Sequence, residues 1–413
     1  MTTARQLADW AVALDPTPED LALADRSLQD TVAAALCARD EPLLHQIGVL
    51  GRAGRWAVAS HVVDFDDLHM PSTTHISTIC VPVALDTAGG ARAYLAGAGV
   101  MARLGSALGW DHYSAGWHAT TTSGALASAA TAAIALGLDA ERTAIALALA
   151  VPASGGVQRA FGTDAKSLQV GFAVDAGVRA AHLAAAGVTA ELEVVDAWLR
   201  LVGATADTID LAGPAIPDGL AVKLFPCCYA LQRPIGAAAS LRSAVEDTNA
   251  ITRILVRTPR GTVKPLIHHR PTTGLEAKFS LEYAVAAALV DEHCGFATFS
   301  DDGVNRPALQ ALLRRLEVDL HDEDAQQLLS GRVELTVESA TGVHTAELVD
   351  PPGSPGNPPT GAQLDHKFAD CLDGTGLSAA DLTWADASVV LTDHLPTPAA
   401  VLNGTPTPQG DAS

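Results

Sequence analysis

Residues Ile251-Thr-Arg-Ile-Leu-Val-Arg-Thr258 alternate apolar and polar side chains, and no earlier stretch of this 413-residue chain does so convincingly. Alternation at period two marks a strand with one buried face. The pattern returns at Gly331-Arg-Val-Glu-Leu-Thr-Val-Glu-Ser339, and Gly342-Val-His-Thr-Ala-Glu-Leu-Val349 follows closely enough to pair with it as a hairpin. Helical spacing fills the interval at Leu275–Val290 and Pro307–Leu316. Residues 236–358 therefore read as a small α+β domain.

Upstream the sequence has a different character. Residues 3–60 show helical spacing with acidic first turns, as at Pro18-Glu-Asp-Leu-Ala. Residues 78–109, 119–137, 140–151 and 168–186 continue in alanine and leucine, which favour helix. Gly137-Leu-Asp139 and Gly187-Val-Thr189 read as a helix stop followed by a new N-cap. The change comes at Lys223-Leu-Phe-Pro226-Cys-Cys. Downstream, Pro351-Pro-Gly-Ser-Pro-Gly-Asn-Pro-Pro359 reads as a linker, and 361–373 and 378–390 are helical again. The expected fold is mainly α. A large all-helical domain is formed from both chain ends (1–235 and 359–395), and a smaller α+β lid domain (236–358) is inserted. Residues 396–413, rich in Pro, Gly and Thr, are expected to be a disordered tail.

Composition narrows the function. Nearly half the residues are hydrophobic yet only 4% are aromatic, so helices pack through small faces. The formal charge is -21, from 26 basic and 47 acidic residues, which disfavours nucleic acid or an anionic membrane as partner. An anionic substrate would need local lysines or arginines to reverse that field. The six cysteines include no CxxC pair and fit reduced thiols, and the N-terminus shows no signal-peptide core. A cytoplasmic location is expected, with no membrane span: the longest apolar run, near 124–138, is alanine-rich and broken by Ser128 and Thr131.

Residues 61–75 gather three histidines and three aspartates. Metal binding is the weaker reading, because histidines eight and six residues apart match no compact zinc motif. Asp66 and Asp67 read as a helix end or turn satisfied by backbone N–H groups. Four further segments carry chemistry. Gly116-Trp-His118-Ala-Thr-Thr-Thr-Ser-Gly124 sets a histidine at a helix start, where free N–H groups suit a carboxylate. Residues 154–166 form a glycine-punctuated loop ending in Lys166. Lys223 stands at the domain junction, and Tyr283 lies on an otherwise apolar helix. Singly, each fits an ordinary structural or solvated role. Together, lysine, histidine and tyrosine are what chemistry on a di- or tricarboxylate needs: ammonium groups for the carboxylates, a ring titrating near neutrality, and a hydroxyl donor.

With those segments in hand, the chain resembles the MmgE/PrpD family, which includes 2-methylcitrate dehydratase, cis-aconitate decarboxylase and iminodisuccinate epimerase. The likeness runs through Asp64-Phe-Asp-Asp with His75, Gly116-Trp-His118-Ala-Thr with Gly137-Leu-Asp139, Gly162-Thr-Asp-Ala-Lys166 with Gly171, Lys223-Leu-Phe-Pro226, Phe279-Ser-Leu-Glu-Tyr283, and Pro359-Thr-Gly to Lys367-Phe. The resemblance implies a helical domain with an inserted lid, a homodimer, no metal or organic cofactor, and a site in the cleft between domains. It also implies that Lys166 and Lys223 hold substrate carboxylates, that His118 transfers the proton, that Asp64 and His75 line the pocket, and that Tyr283 assists. Against the family pattern, Leu68 stands where a threonine is frequent and His75-Ile-Ser77 where His-Pro-Ser is usual. Cys228 and Gln232 stand where decarboxylases and dehydratases, respectively, tend to have histidines. Polar groups that touch substrate in the family are thus expected to be replaced here. The leading expectation is a cofactor-independent lyase of the dehydratase type, taking a small di- or tricarboxylic acid through a carbanion beside a carboxylate. Decarboxylation or epimerisation is the close alternative. A non-catalytic carboxylate-binding paralogue and a zinc hydrolase come from other classes.

Overall fold

The computed structural model describes residues 1–204, 209–245, 247–322 and 331–398. The described residues begin with the α-helices α1 Thr3–Ala13, α2 Pro18–Cys37, α3 Arg52–Val62, α4 Ser77–Asp86, α5 Gly90–Ser114, α6 Ala119–Ala135, α7 Ala140–Ala150, α8 Ala165–Ala185 and α9 Val194–Leu201. After α10 Gln232–Leu241 come β1 Ile251–Pro259, α11 Gly274–Ala277, α12 Leu281–Val290, α13 Asp301–Val304, α14 Pro307–Leu313, β2 Leu316–His321, β3 Val333–Ser339 and β4 Gly342–Leu348. The described chain closes with α15 Gly361–Leu372 and α16 Ala387–His394. The protein is mainly helical; the described residues form one four-stranded sheet, and no helix among them is long and apolar enough to cross a membrane.

Local signals place the helix starts. Thr17 and Asp20 form a reciprocal capping box at α2 with Pro18 in its first turn, and Asp139 caps α7 through the Arg142 amide. α6 is buried along almost its whole length and packs against α5 and α8. Those contacts need side chains that are nearly absent. A Cβ on Gly97 of α5 would stand 1.8 Å from Thr131 Oγ1, and one on Gly177 of α8 would stand 2.4 Å from Ser128 Cβ. The low aromatic content is explained by this close approach of helix backbones, since interiors pack to crystal-like density by whatever shapes fit.

The sheet has the order β2-β1-β3-β4, with β1 parallel to β2 and the other pairs antiparallel. Val256 sits between Val318 and Leu335 across the sheet. Ile254, Val256, Leu335 and Val337 turn inward into one apolar core, whereas Arg253 and Arg257 face outward and pair with Glu317, Glu338, Asp319 and Glu334. Buried apolar residues form two main clusters. One draws on residues between Ala4 and Leu220 together with Cys371–Leu391, and the other on residues between Leu224 and Val337.

Several expected elements differ in detail. Residues 78–109 are broken at Thr87–Gly89, where Ala88 takes a left-handed conformation. Leu275–Val290 is interrupted at Lys278–Ser280, because the Ser280 hydroxyl accepts the Tyr283 amide at 3.2 Å and starts a new helix. The helix expected to reach Leu316 stops at Leu313, and Leu316 opens β2, a strand the spacing of leucines had concealed. Residues 378–390 resolve into a short turn at Ala379–Asp381 and α16. The Pro351–Pro359 linker is packed rather than loose: Pro351 to Ser354 are buried, and the Gly353 carbonyl accepts the Val222 amide at 2.9 Å. Most of the expected tail, residues 399–413, lies outside the described residues.

Candidate active site

The site begins where α3 ends. His61 sits in its last turn, and Asp64 follows in the left-handed region at φ 57°, a conformation aspartate tolerates better than most residues. That turn throws residues 64–68 back across the helix end. Leu68 and Ala221 then exchange backbone hydrogen bonds at 2.9 and 2.8 Å, so this isolated bridge lays the Lys223 segment alongside. Lys223 is 2% exposed, and its ammonium donates to the Asp64 carbonyl at 2.7 Å and lies 3.1 Å from Asp64 Oδ1. Lys166, in the first turn of α8, donates to the same Oδ1 at 2.7 Å. One carboxylate is therefore shared by two ammonium groups from segments 102 and 159 residues away.

Charge states follow from that arrangement. Burial pulls the Asp64 carboxyl upward, but Lys166 and Lys223 outweigh it and hold it well below the usual carboxylate range. Burial opposes the Lys223 charge, and Asp64 with Asp66 reverses the balance, so its pKa is raised. The Cys228 thiol is pushed up to about 11, chiefly by burial, and stays protonated.

The histidines form a second layer. His61 Nδ1 lies 2.7 Å from Asp66 Oδ2, and His75 Nδ1 lies 3.1 Å from the same oxygen. His61 is lowered to about 4, first by burial, so it is neutral and gives Asp66 a hydrogen bond rather than a charge pair. Burial raises the Asp66 carboxyl, yet His61 and His75 together hold it ionised. The His75 amide donates to Thr120 Oγ1 at 3.1 Å. His118 occupies the N-cap position of α6, and its ring stacks on His61 at 6.1 Å and meets Phe161 edge-on at 4.9 Å. Its Nδ1 lies 3.2 Å from Gln169 Oε1, which also accepts the Val157 amide at 2.9 Å. An oxygen accepting there assigns the proton of His118 to Nδ1 and leaves Nε2 bare. Burial, then His61 and Lys166, keep His118 far below the ordinary histidine range and hence neutral.

Asp64, His75, His118, Lys166 and Lys223 thus converge on one cavity of about 170 Å³. At roughly 30 Å³ per molecule that is room for about six waters, the scale of a small organic acid. Tyr283 does not join them. It is fully buried in the sheet-bearing core, where its hydroxyl donates to the Thr298 carbonyl. The motif residue that does line the cavity is Phe279. Gln232 is absent from the lining too. Its amide accepts the Leu224 and Phe225 N–H groups at 3.0 and 3.2 Å and donates to the Phe225 carbonyl, which fixes the turn that carries Lys223. Asp66 and Asp67 differ in outcome. Both are buried in the turn after α3; Asp67 accepts the Ser77 amide, as expected of it, together with the Ser77 hydroxyl, whereas Asp66 meets two histidines in place of backbone N–H groups. Tyr113, Thr120, Phe161 and Tyr229 line the cavity and were not singled out. Phe161 lies inside the glycine-punctuated loop and Thr120 inside the Gly116–Gly124 segment, both already read as functional, and Tyr113 and Tyr229 lie in segments with no distinguishing pattern. His61, Asp66 and His75 are the described residues that could hold a metal ion, with ligand atoms within 4.8 Å of one another, although here they are engaged with each other.

The fold and site define the class. The MmgE/PrpD N-terminal domain matches residues 53–200 and the MmgE/PrpD C-terminal domain matches residues 225–391, so the chain belongs to the MmgE/PrpD family. Among curated relatives, cis-aconitate decarboxylase of Homo sapiens is 29% identical over 289 residues, 63% of this chain and 60% of that protein. The cis-aconitate decarboxylase of Aspergillus terreus (strain NIH 2624 / FGSC A1156) is 24% identical over 405 residues, 87% of this chain and 81% of that protein. That of Mus musculus is 27% identical over 290 residues, 63% of this chain and 59% of that protein. The matches to the human and mouse proteins thus span less than two thirds of those relatives.

Proposed function

We propose that this protein is a lyase acting on a small di- or tricarboxylic acid, and that it passes through a carbanion beside a carboxylate. The observation that carries this reading is Asp64 shared between Lys166 and Lys223 at the edge of a cavity that also holds a neutral His118. The two ammonium groups hold substrate carboxylates and spread the charge that develops when the bond beside one of them breaks. His118, with Nε2 bare, takes or returns the proton at the adjacent carbon, a contribution of about 10²–10⁴ in rate. His75, backed by Asp66, lines the same cavity and steers the acid beside it. No metal or organic cofactor is needed for these steps, and the enzyme works as a homodimer.

The bond broken is the finer question. Three relatives named as decarboxylases make loss of carbon dioxide the first product to seek, a carbon–carbon lyase activity. The bare Nε2 of His118 favours a second reading, since it suits removal of a proton followed by departure of a β-hydroxyl as water. Incubation with a panel of di- and tricarboxylates in deuterated water, followed by NMR, separates them by carbon dioxide loss, water loss or exchange alone. His118→Ala and Lys166→Ala should each abolish turnover in a folded protein. Retained turnover of the true substrate in either variant refutes the assignment.

A further inference from the structure

We propose that the substrate carries two carboxylates and a short apolar arm, and is not a tricarboxylate. This rests on the lyase reading above and narrows it. Its basis is a count of charge in the cavity and the chemistry of the wall.

Lys166 and Lys223 are the cationic side chains among the described lining residues. Asp64 offsets one of those charges, because its carboxylate stands within 3.1 Å of both ammonium groups. His75 faces the ionised Asp66, which lies 3.1 Å from its Nδ1, so it adds nothing to this surplus. His118 is neutral. The cavity therefore offers a surplus of one positive charge. One carboxylate is matched outright. A second can be met by neutral donors, of which Thr120 and Tyr113 line the cavity. A third would bring an unmatched anion against surfaces that cannot solvate it, and burying an unpaired charge is costly.

Those surfaces are apolar. Leu68, Phe161, Cys228, Tyr229, Pro265 and Phe279 all line the cavity. Leu68 and Tyr229 belong to one packed cluster with Ala221 and Met70, and the Tyr229 hydroxyl is turned onto Met70 Sδ at 3.4 Å. Phe161 presents its ring against His118 and Lys166. Cys228 adds a protonated thiol, a weak donor that behaves as a small hydrophobe. Such a wall rewards methylenes, roughly fourfold in affinity for each one buried. Leu68 is the side chain that sets this preference, since it is buried at the cavity edge where a hydroxyl-bearing residue would offer a carboxylate a donor.

The test is calorimetric titration of the full chain at neutral pH with succinate, propylsuccinate and tricarballylate. The last two share a succinate core and differ in a propyl against a carboxymethyl substituent. Propylsuccinate should bind at least about tenfold tighter than tricarballylate. Leu68→Thr should cut that ratio severalfold while leaving succinate affinity within about twofold, and Cys228→Ser should act in the same direction should the first variant fold poorly. Tricarballylate binding as tightly as propylsuccinate, or more tightly, overturns this inference and leaves the lyase reading standing. Binding of none of the three at millimolar concentration overturns both.

Discussion

Replacing Asp64 by asparagine and Lys223 by methionine, singly and together, tests whether the site is a compensated charge cluster. Asparagine also accepts the left-handed backbone at position 64, so Asp64→Asn removes charge without backbone strain. At 3.1 Å and an effective dielectric constant of about 20, the bare attraction of the pair is about 5 kcal/mol. Desolvation of the buried Lys223 takes back a large part of it. Asp64 keeps 29% of its side-chain surface, so solvent screening lowers it further. A coupling energy of about 1–3 kcal/mol remains. Lys223→Met strands Asp64 with Lys166 alone and should cost about 2 kcal/mol. Asp64→Asn strands a 2%-exposed ammonium and should cost at least as much. The double variant should be more stable than the sum of the two single losses predicts, by that coupling. Urea denaturation at pH 7 in low salt reads all four species. Strictly additive single losses would show that the three charges do not act as one unit, and the charge count behind the substrate argument would fall with it. Acid titration checks the sign. Asp64 has a depressed folded-state pKa, so its stabilisation is present above the unfolded value near 4 and is lost as pH falls below it. Asp64→Asn should flatten that acid limb.

Four shorter expectations go with it. His61 is neutral in the folded chain down to about 4, whereas an unfolded histidine takes its proton near 6.5. Stability should therefore fall between pH 6.5 and 4 by on the order of 3 kcal/mol from this ring, and His61→Gln should remove that slope in a pH series of thermal melts. Tyr283→Phe deletes a buried hydrogen bond to the Thr298 carbonyl, so it should cost about 1 kcal/mol of stability and leave kcat within threefold; a hundredfold loss in a well-folded variant would return Tyr283 to the chemistry. Gln232→Leu unpairs the Leu224 and Phe225 amides and should cost about 2–3 kcal/mol and raise KM by displacing Lys223, as urea melts and initial rates would report; unchanged KM would separate the turn from the site. Prolonged dialysis against a chelator should leave turnover unchanged, and a loss restored by one divalent metal would assign His61, Asp66 and His75 as its ligands.

What the sequence disclosed follows the range of its signals. Helix capping and small-residue spacing are local, so the acidic first turn at Pro18, Asp139 and the alanine-rich runs announced most of the helical half. β1 and β3 were legible because one face of each is buried and the other is charged, and β4, half-buried at best, was legible from its closeness to β3. β2 was missed although Leu316-Glu-Val-Asp-Leu-His alternates cleanly, because leucines at 309, 312, 313 and 316 also fit a helical face and the preceding helix captured them. Within the site, ionisable groups near apolar runs drew attention to Asp64, His75, His118, Lys166 and Lys223. Asp66 was misread because its partners, His61 and His75, are brought to it by a backbone reversal at Asp64 that no spacing rule encodes. Tyr283 was misplaced for the opposite reason. A tyrosine on an apolar helix looks alike whether its hydroxyl meets substrate or a backbone carbonyl such as that of Thr298.

The loop that carries Asp64 is also held from beneath by a residue made long after it. Lys367, on α15, is fully buried; it pairs with Asp30, donates to the Phe65 carbonyl at 2.9 Å across 302 residues of chain, and lies 4.3 Å from the Phe65 ring centre. During synthesis, Asp30 and the Phe65 carbonyl wait for that ammonium while everything between them is translated. At about 5–20 residues per second, the interval is about 15–60 s. Over that time the helical half can form its helices and most of its apolar contacts, but the turn at Asp64 lacks its support and Asp30 lacks its counter-charge. Completion of this support is thus postponed until 302 residues after Phe65 have been made. A nascent chain released before Lys367 should resemble the finished protein in helix content and still bind no substrate.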